Sequence, residues 1–380
     1  MTHMERQDEW RVEDDGLAPL ETVALPAADP GFLREWRELA AASVEPNPFD
    51  EDWFLTPALD CFAGAATVEI AAYRSGGQLC GLMPLVAAPR YEGRPLPHWR
   101  NWMHANAFLG APLVRPGHEA GFWSALLRHC DAAARSSLFL HLDTIPLEGP
   151  LFEALRTVCR AEKRRLGVVQ AHERAVLDSP LGADAYREAT LSAKRRKEMR
   201  RQMRQLSQRG EVSFASQEDD ADIERWIEDF LQVEASGWKG EAASALDCDE
   251  RTRTLFTRAL REGARRGALI RRALLLDGRP IAMLVNFRQG PATFGFKTAF
   301  DDDYARYSPG VLLENAYLDT LDRPDLAWCD SCAAPDHPVM NHLWSGRRKF
   351  GRVSIGIGGT VRRALLRGLL FLENRGRESA

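Results

Sequence analysis

The sequence predicts an α/β fold made of two successive copies of one unit, each a mixed, mostly antiparallel sheet flanked by helices. Three observations lead there. Two apolar hairpins, TVEIAAYRSGGQLCGLMPLVA and ALIRRALLLDGRPIAMLVNFR, turn at Ser75-Gly76-Gly77 and at Asp277-Gly278, and such glycine turns between apolar runs mark antiparallel neighbours. After each hairpin a helical segment separates two further strands, the crossover that parallel pairing requires. The length of 380 residues exceeds one ordinary core and falls short of three.

In the second copy, EVSFAS (Glu211–Ser216) alternates as a strand. Asp220 to Ser236 has helical spacing, with Ile223, Trp226, Ile227, Phe230 and Val233 on one stripe, and stops at Gly237. Asp249 to Glu262 reads as a helix, followed by the hairpin, the strand ATFGFKTAF, a helix from Val311 to Leu321, the short strand LAWCD, a helix from His337 to Phe350 and the strand RVSIGIG. The first copy repeats the order: LETVALP as a strand, Pro30 to Ser43 as a helix with Leu33, Trp36, Leu39 and Ala40 on its apolar face, then the hairpin. A helix from Glu119 to Arg135, the strand SLFLHLD, a helix from Gly149 to Lys163 and the strand GVVQAHE complete it. The expected boundaries are an acidic tail 1–18, a first unit 19–177, a linker and basic helix 178–210, a second unit 211–357 and a basic amphipathic segment 358–380.

Hydrophobic residues at 45% and charged residues at 27% exclude a mostly disordered chain. No apolar run approaches the ~18–20 residues that span a bilayer. The start, MTHMERQDEWRVEDD, is acidic where a secretion signal is basic and apolar, so the expected compartment is the cytoplasm, with the inner-membrane surface as a peripheral site. The seven cysteines are scattered and form no repeated CxxC pair, so neither a disulfide framework nor a metal site is expected. The net charge of −4 hides a basic run, KRRKEMRRQMRQLSQR (Lys194–Arg209), and a basic tail. Such runs suit phosphates, an acidic carrier protein or an anionic surface, or else a solvated connector; a general nucleic-acid binder is not expected.

Several segments resemble one family. NPFDEDWFLTPAL, SAKRRKEMRRQMRQLSQRGEV, FLQVEASGWKG, FGFKTAFDDDYARYSPGVLLE and CDSCAAPDHPVMNHLWSGRRKFG are similar to the BioF2-like (CelD-like) acetyltransferases of the GNAT superfamily, relatives of the FemABX transferases built as tandem GNAT units. The resemblance implies acyl transfer from acyl-CoA, or an acyl carrier thioester, to a primary amine. It implies acyl-CoA as a co-substrate rather than a bound cofactor, and it allows a lipid amine such as a sphingoid base, as in ceramide synthase-like members. A FemABX-like aminoacyl-tRNA-dependent transferase and a non-catalytic scaffold in envelope polysaccharide synthesis are the rival expectations.

The resemblance places the pyrophosphate of CoA at the loop Arg306, Tyr307, Ser308, Pro309, Gly310 and Val311, where helix N-terminal amides favour anions. Tyr307 and Leu312 depart from the family pattern there. At the end of the strand LAWCD, His337 is the expected base and Asp330 its orienting group; the bland alternative is a solvated loop histidine behind a capping Asp336. Tyr304, with Tyr307 as the alternative, is the expected acid for the leaving thiolate. Trp238, Lys239 and Cys332 are expected beside the substrate, Cys332 as a packing thiol more than a nucleophile.

Overall fold

The computed structural model describes residues 20–23, 29–236 and 249–375. Its first half runs β1 (Glu21–Val23), α1 (Pro30–Ala41), α2 (Asp52–Phe62), β2 (Val68–Ser75), β3 (Gln78–Ala88), β4 (His98–Asn101), β5 (Leu113–Val114), α3 (Glu119–Ala132), β6 (Phe139–Pro146), α4 (Pro150–Ala161) and β7 (Leu166–Leu177). Two helices follow, α5 (Ala183–Thr190) and α6 (Ala193–Ser207). The second half runs β8 (Val212–Gln217), α7 (Ile223–Ala235), α8 (Glu250–Arg265), β9 (Leu269–Leu276), β10 (Arg279–Gln289), β11 (Ala292–Phe300), α9 (Pro309–Tyr317), β12 (Trp328–Asp330), α10 (Met340–Leu343), β13 (Gly346–Gly356) and α11 (Thr360–Arg375).

Local chemistry accounts for most of these elements. Asp29 accepts from the Phe32 N–H at 2.8 Å and Pro30 opens the first turn, which starts α1. The β2–β3 hairpin closes at the pair Ser75–Gln78, and Gly76 and Gly77 between them both have positive φ, as a tight hairpin turn demands. Pro57 lies inside α2 and masks that helix from a reading of the sequence. The span 178–186, expected as linker, ends in α5, whose first turn is fixed by Asp322 accepting from the Ala183 N–H.

The strands make one mixed sheet rather than two. Its order is β1-β2-β3-β4-β6-β13-β7-β12-β11-β10-β9-β8, with β5 pairing on β3. Only β4–β6 and β11–β12 are parallel among the described pairs. The joint comes from an exchange. The last strand of the chain, β13, lies between β6 and β7, and β7 pairs in turn with β12 of the second half. This pairing also corrects the helix expected from His337 to Phe350. Only Met340–Leu343 is helical, and Gly346 onward pairs residue by residue with β7, so ladder formation overrides the local helical spacing. In this strand Arg348 reaches Glu45, in the loop after α1, at 3.0 Å.

The core crosses the joint as well. Phe49, from the first half, packs its ring against Phe287, Phe294 and Phe296 of β10 and β11 at centroid distances of 5.7, 6.5 and 6.5 Å. Arg174 on β7 and Asp330 on β12 form a buried ion pair, Nε to Oδ1 at 2.8 Å, with the guanidinium 3.7 Å from the Phe350 ring centroid.

Candidate active site

The site begins where two parallel strands part. β11 and β12 pair over only three positions, Ala292–Phe294 against Trp328–Asp330. Beyond them β11 continues, while the other chain turns away through Cys332 at φ 50°. A bulge on β11 adds to the divergence, because Val285 and Asn286 face Lys297 and Gly295 and leave Phe296 as the extra residue. Gly295 sits at the parting point, where a Cβ would lie 2.4 Å from the Ser331 carbonyl oxygen; only glycine fits.

The gap is a cavity of about 570 Å³. β11 gives it Gly295 to Thr298, and the far wall is Ser331 to Ala333 with His337 to Met340. Phe108 and Trp344 contribute aromatic surface, and the Lys297 ammonium lies 5.8 Å from the Phe108 ring centroid. The start of α9 forms the mouth through Ser308, Pro309, Gly310, Val311 and Glu314.

That mouth is suited to an anion. Ser308 holds φ at 51°, Pro309 starts the helix, and no side chain caps it. The first-turn N–H groups of Gly310 and Val311 have no intrahelical acceptor, and the helix dipole adds to their pull. Gln202 of α6 donates to the Ser308 hydroxyl at 3.0 Å and clamps the loop. The space beside Gly310 is open except for Phe300, 3.4 Å from an added Cβ.

The other residues of the expected phosphate loop are placed elsewhere. Arg306 stacks on Tyr307 and donates to its hydroxyl, while the Tyr307 ring is buried in the second core cluster. Tyr304 packs against that same cluster, and none of the three lines the cavity. Trp238 and Lys239 lie outside the described residues.

At the far wall His337 and Cys332 both line the cavity, but Asp330 does not join them. Its carboxylate accepts from Arg174 Nη2 at 2.9 Å and from the Cys332 N–H at 2.9 Å, its partners among the described residues. The expected Asp330–His337 pair is therefore not formed. His337 Nδ1 accepts the Met340 N–H at 3.2 Å, and this leaves the proton of the neutral ring on Nε2. Burial lowers its pKa below the ordinary histidine value, so the ring is neutral at physiological pH. Such a ring offers a donor, whereas a base needs a free lone pair. Burial also pushes the Cys332 thiol far up, so it does not supply a thiolate.

The group with a base's properties is Glu314, which the sequence reading misses. It accepts from the Thr298 hydroxyl at 3.0 Å, and burial raises its pKa to about 7. It stands four residues after Gly310, on the same helix face. The signal was present: a lone acid in the apolar helix PGVLLENAY, one turn past the anion-binding start.

Comparisons with known proteins bear on the fold around this site. Residues 193–337 match the family model described as an acetyltransferase (GNAT) domain. No curated protein matches the chain. Among solved structures, FemX superposes with a TM-score of 0.55 at 8% identity, covering 85% of this chain and 95% of FemX. A conserved protein of unknown function from Bacteroides thetaiotaomicron gives 0.54 at 10% identity, covering 88% and 99% of the two chains. The C-terminal domain of a putative lysylphosphatidylglycerol synthetase from Agrobacterium fabrum gives 0.52 at 11% identity, covering 88% and 93%. At such identities the likeness is one of fold. Residues 193–337 are thus similar to a GNAT-type acetyltransferase domain, within a fold similar over most of the chain's length to that of FemX.

Proposed function

We propose that the protein is an N-acyltransferase that moves an acyl group from an acyl-CoA thioester to a primary amine. The observation that carries this reading is one cavity holding anion-binding amides at Gly310 and Val311, a carboxylate at the edge of ionisation, Glu314, and a neutral imidazole donor, His337. In the reaction, Glu314 takes a proton from the acceptor ammonium and the freed amine adds to the thioester carbonyl. His337 Nε2–H donates to the oxygen as it becomes negative. The C–S bond then breaks, the proton lost by the adduct's nitrogen passes to the leaving thiolate, and amide and free thiol leave. Alignment in the cavity supplies much of the rate.

The acceptor we favour is a lipid amine. The cavity is lined with Phe296, Phe300, Val339 and Met340 as well as Phe108, which suits a long chain. On α11, Leu366 and Leu370 are buried against the protein while Val361, Leu365 and Phe371 are exposed, with Arg367 among them. This apolar, basic ridge suits the surface of an anionic membrane, where such a substrate resides. A second reading, an aminoacyl-tRNA donor as in FemABX-like enzymes, is favoured by the exposed cations Lys194, Lys197, Arg200 and Arg204 on α6.

A thermal-shift series with acetyl-CoA, palmitoyl-CoA, free CoA and tRNA separates the readings. Palmitoyl-CoA is expected to stabilise most, since chain burial adds about 0.8 kcal/mol per CH₂. Gly310→Asp should abolish the shift, because it places a carboxylate where phosphate is read. Equal shifts for both acyl lengths sink the lipid reading, and stabilisation by tRNA alone selects the second.

A further inference from the structure

α9 separates two cavities. Gly310, Val311 and Glu314 face the one described above, whereas Leu312, Leu313, Asn315 and Ala316 face another of about 630 Å³. This size falls within the roughly 300–1,000 Å³ typical of small-molecule sites. The opposite wall is α6, whose Arg196, Met199, Arg200 and Met203 follow helical i, i+3, i+4, i+7 spacing and so share one face. The side is the edge strand β8, which leaves Phe214 47% exposed at the rim. Leu191, Leu312 and Leu313 are fully buried around the interior.

The charges around this apolar interior are unbalanced. Four arginines border it, Arg187, Arg196, Arg200 and Arg272, against the single acid Asp319. Asp319 is already bound to Arg187. Arg196 is spent on the carbonyls of Arg187, Glu188 and Leu191 at the end of α5. Arg187 Nε is buried without a partner among the described residues, and the other two arginines have no acid partner among them. Arg272 donates through Nη1 to the Ala316 carbonyl at 2.9 Å, yet its buried Nε has no partner among the described residues. Arg200 is exposed and makes no ion pair among the described residues. A guanidinium at an apolar cavity wall with no counter-charge of its own gains from an incoming anion.

We propose that this cavity binds an anionic amphiphile: a single apolar chain lying on Met199, Met203, Phe214 and Leu312, with a carboxylate or phosphate head against Arg200 and Arg272. The chain and the head are both required. Apolar surface alone would accept a neutral or cationic amphiphile, and the arginines alone would accept inorganic phosphate. The site is separate from the cavity described above, with the body of α9 between them and no lining residue shared.

Calorimetric titration below the micellar concentration tests this, with laurate, dodecyl phosphate, dodecyltrimethylammonium and inorganic phosphate as probes. The two anionic amphiphiles are expected to bind with one site, and the stronger of them assigns the head as fatty acid or phospholipid-type. Arg200→Glu and Phe214→Asp, both at exposed positions and checked for an unchanged melting temperature, should each weaken binding about tenfold or more. Gly310→Asp, which closes the other cavity, should leave it unchanged, so that this proposal and the acyltransferase reading fail separately. Equal binding of dodecyltrimethylammonium overturns the role of the arginines. Equal binding of inorganic phosphate overturns the role of the chain. Undiminished affinity in both rim variants, or loss in Gly310→Asp, overturns the location.

Discussion

Replacing Glu314 by glutamine removes the titratable group while keeping its shape and its acceptor oxygen for Thr298. In the folded protein this carboxyl titrates at about 7 instead of 4.5 because burial penalises the charged form. A group whose folded pKa is raised holds its proton more tightly when folded. Stability is therefore greatest below the unfolded value and declines as pH rises through the folded one. At about 1.36 kcal/mol for each pKa unit, the whole displacement corresponds to roughly 3 kcal/mol, a ceiling reached above pH 7. Glu314→Gln should accordingly melt higher than the parent at pH 8 and alike at pH 4.5. Turnover should move the other way. In the parent, kcat/KM should climb through pH 7 as the base ionises, and in the variant that limb should vanish with an overall loss of about 10²–10⁴-fold. Urea unfolding across pH and a thiol-release assay read both quantities. A stability change equal at both pH values, or a pH–rate limb that survives the substitution, refutes the assignment of Glu314 as base.

Three other outcomes follow from the far wall. His337→Ala should cost about 10²–10³-fold in kcat without dependence on pH between 6 and 9, because a donor to the oxyanion is lost; recovery of rate at high pH would instead identify it as a base. Asp330→Ala should destabilise by about 3–5 kcal/mol in urea unfolding, since Arg174 is left buried without its counter-charge, whereas loss of turnover in a protein of normal stability would restore Asp330 to catalysis. Cys332→Ser should keep turnover within about tenfold, and Cys332 in the parent should react slowly with alkylating reagents, because its thiol stays protonated.

Much of this is legible in the sequence alone. The hairpins at Gly76-Gly77 and Asp277-Gly278 were readable because turn chemistry is local, and the loop at Ser308-Pro309-Gly310 because a helix start has a local signature. The comparisons carry the GNAT part of the resemblance. What escaped is non-local. Arg174 and Asp330 are 156 positions apart and nothing near either one announces the other, so Asp330 was paired with the histidine close to it in sequence. The tautomer of His337 depends on a backbone N–H three residues on, which only folding brings to Nδ1. The region from Gly346 reads locally as helix because its partner β7 lies in the other half of the chain. Glu314 was overlooked for another reason: its raised pKa depends on burial, and one acid in a helix normally faces water.

The position of β13 has a consequence for how the chain is made. Its Ser354 pairs with His141 of β6, 213 residues earlier. At roughly 5–20 residues per second, a ribosome completes β6 some 10–40 s before that partner emerges. Throughout that interval the slot between β6 and β7 stays unfilled, and two strand edges that end up paired remain open to any other chain. The nascent first half cannot reach its final form alone. Cutting the chain between α6 and β8 and expressing the pieces apart would leave each with a strand missing from its sheet, so fragments should recover structure only when mixed. The emergence of β13, rather than the completion of either half, sets the moment at which the joined sheet can close.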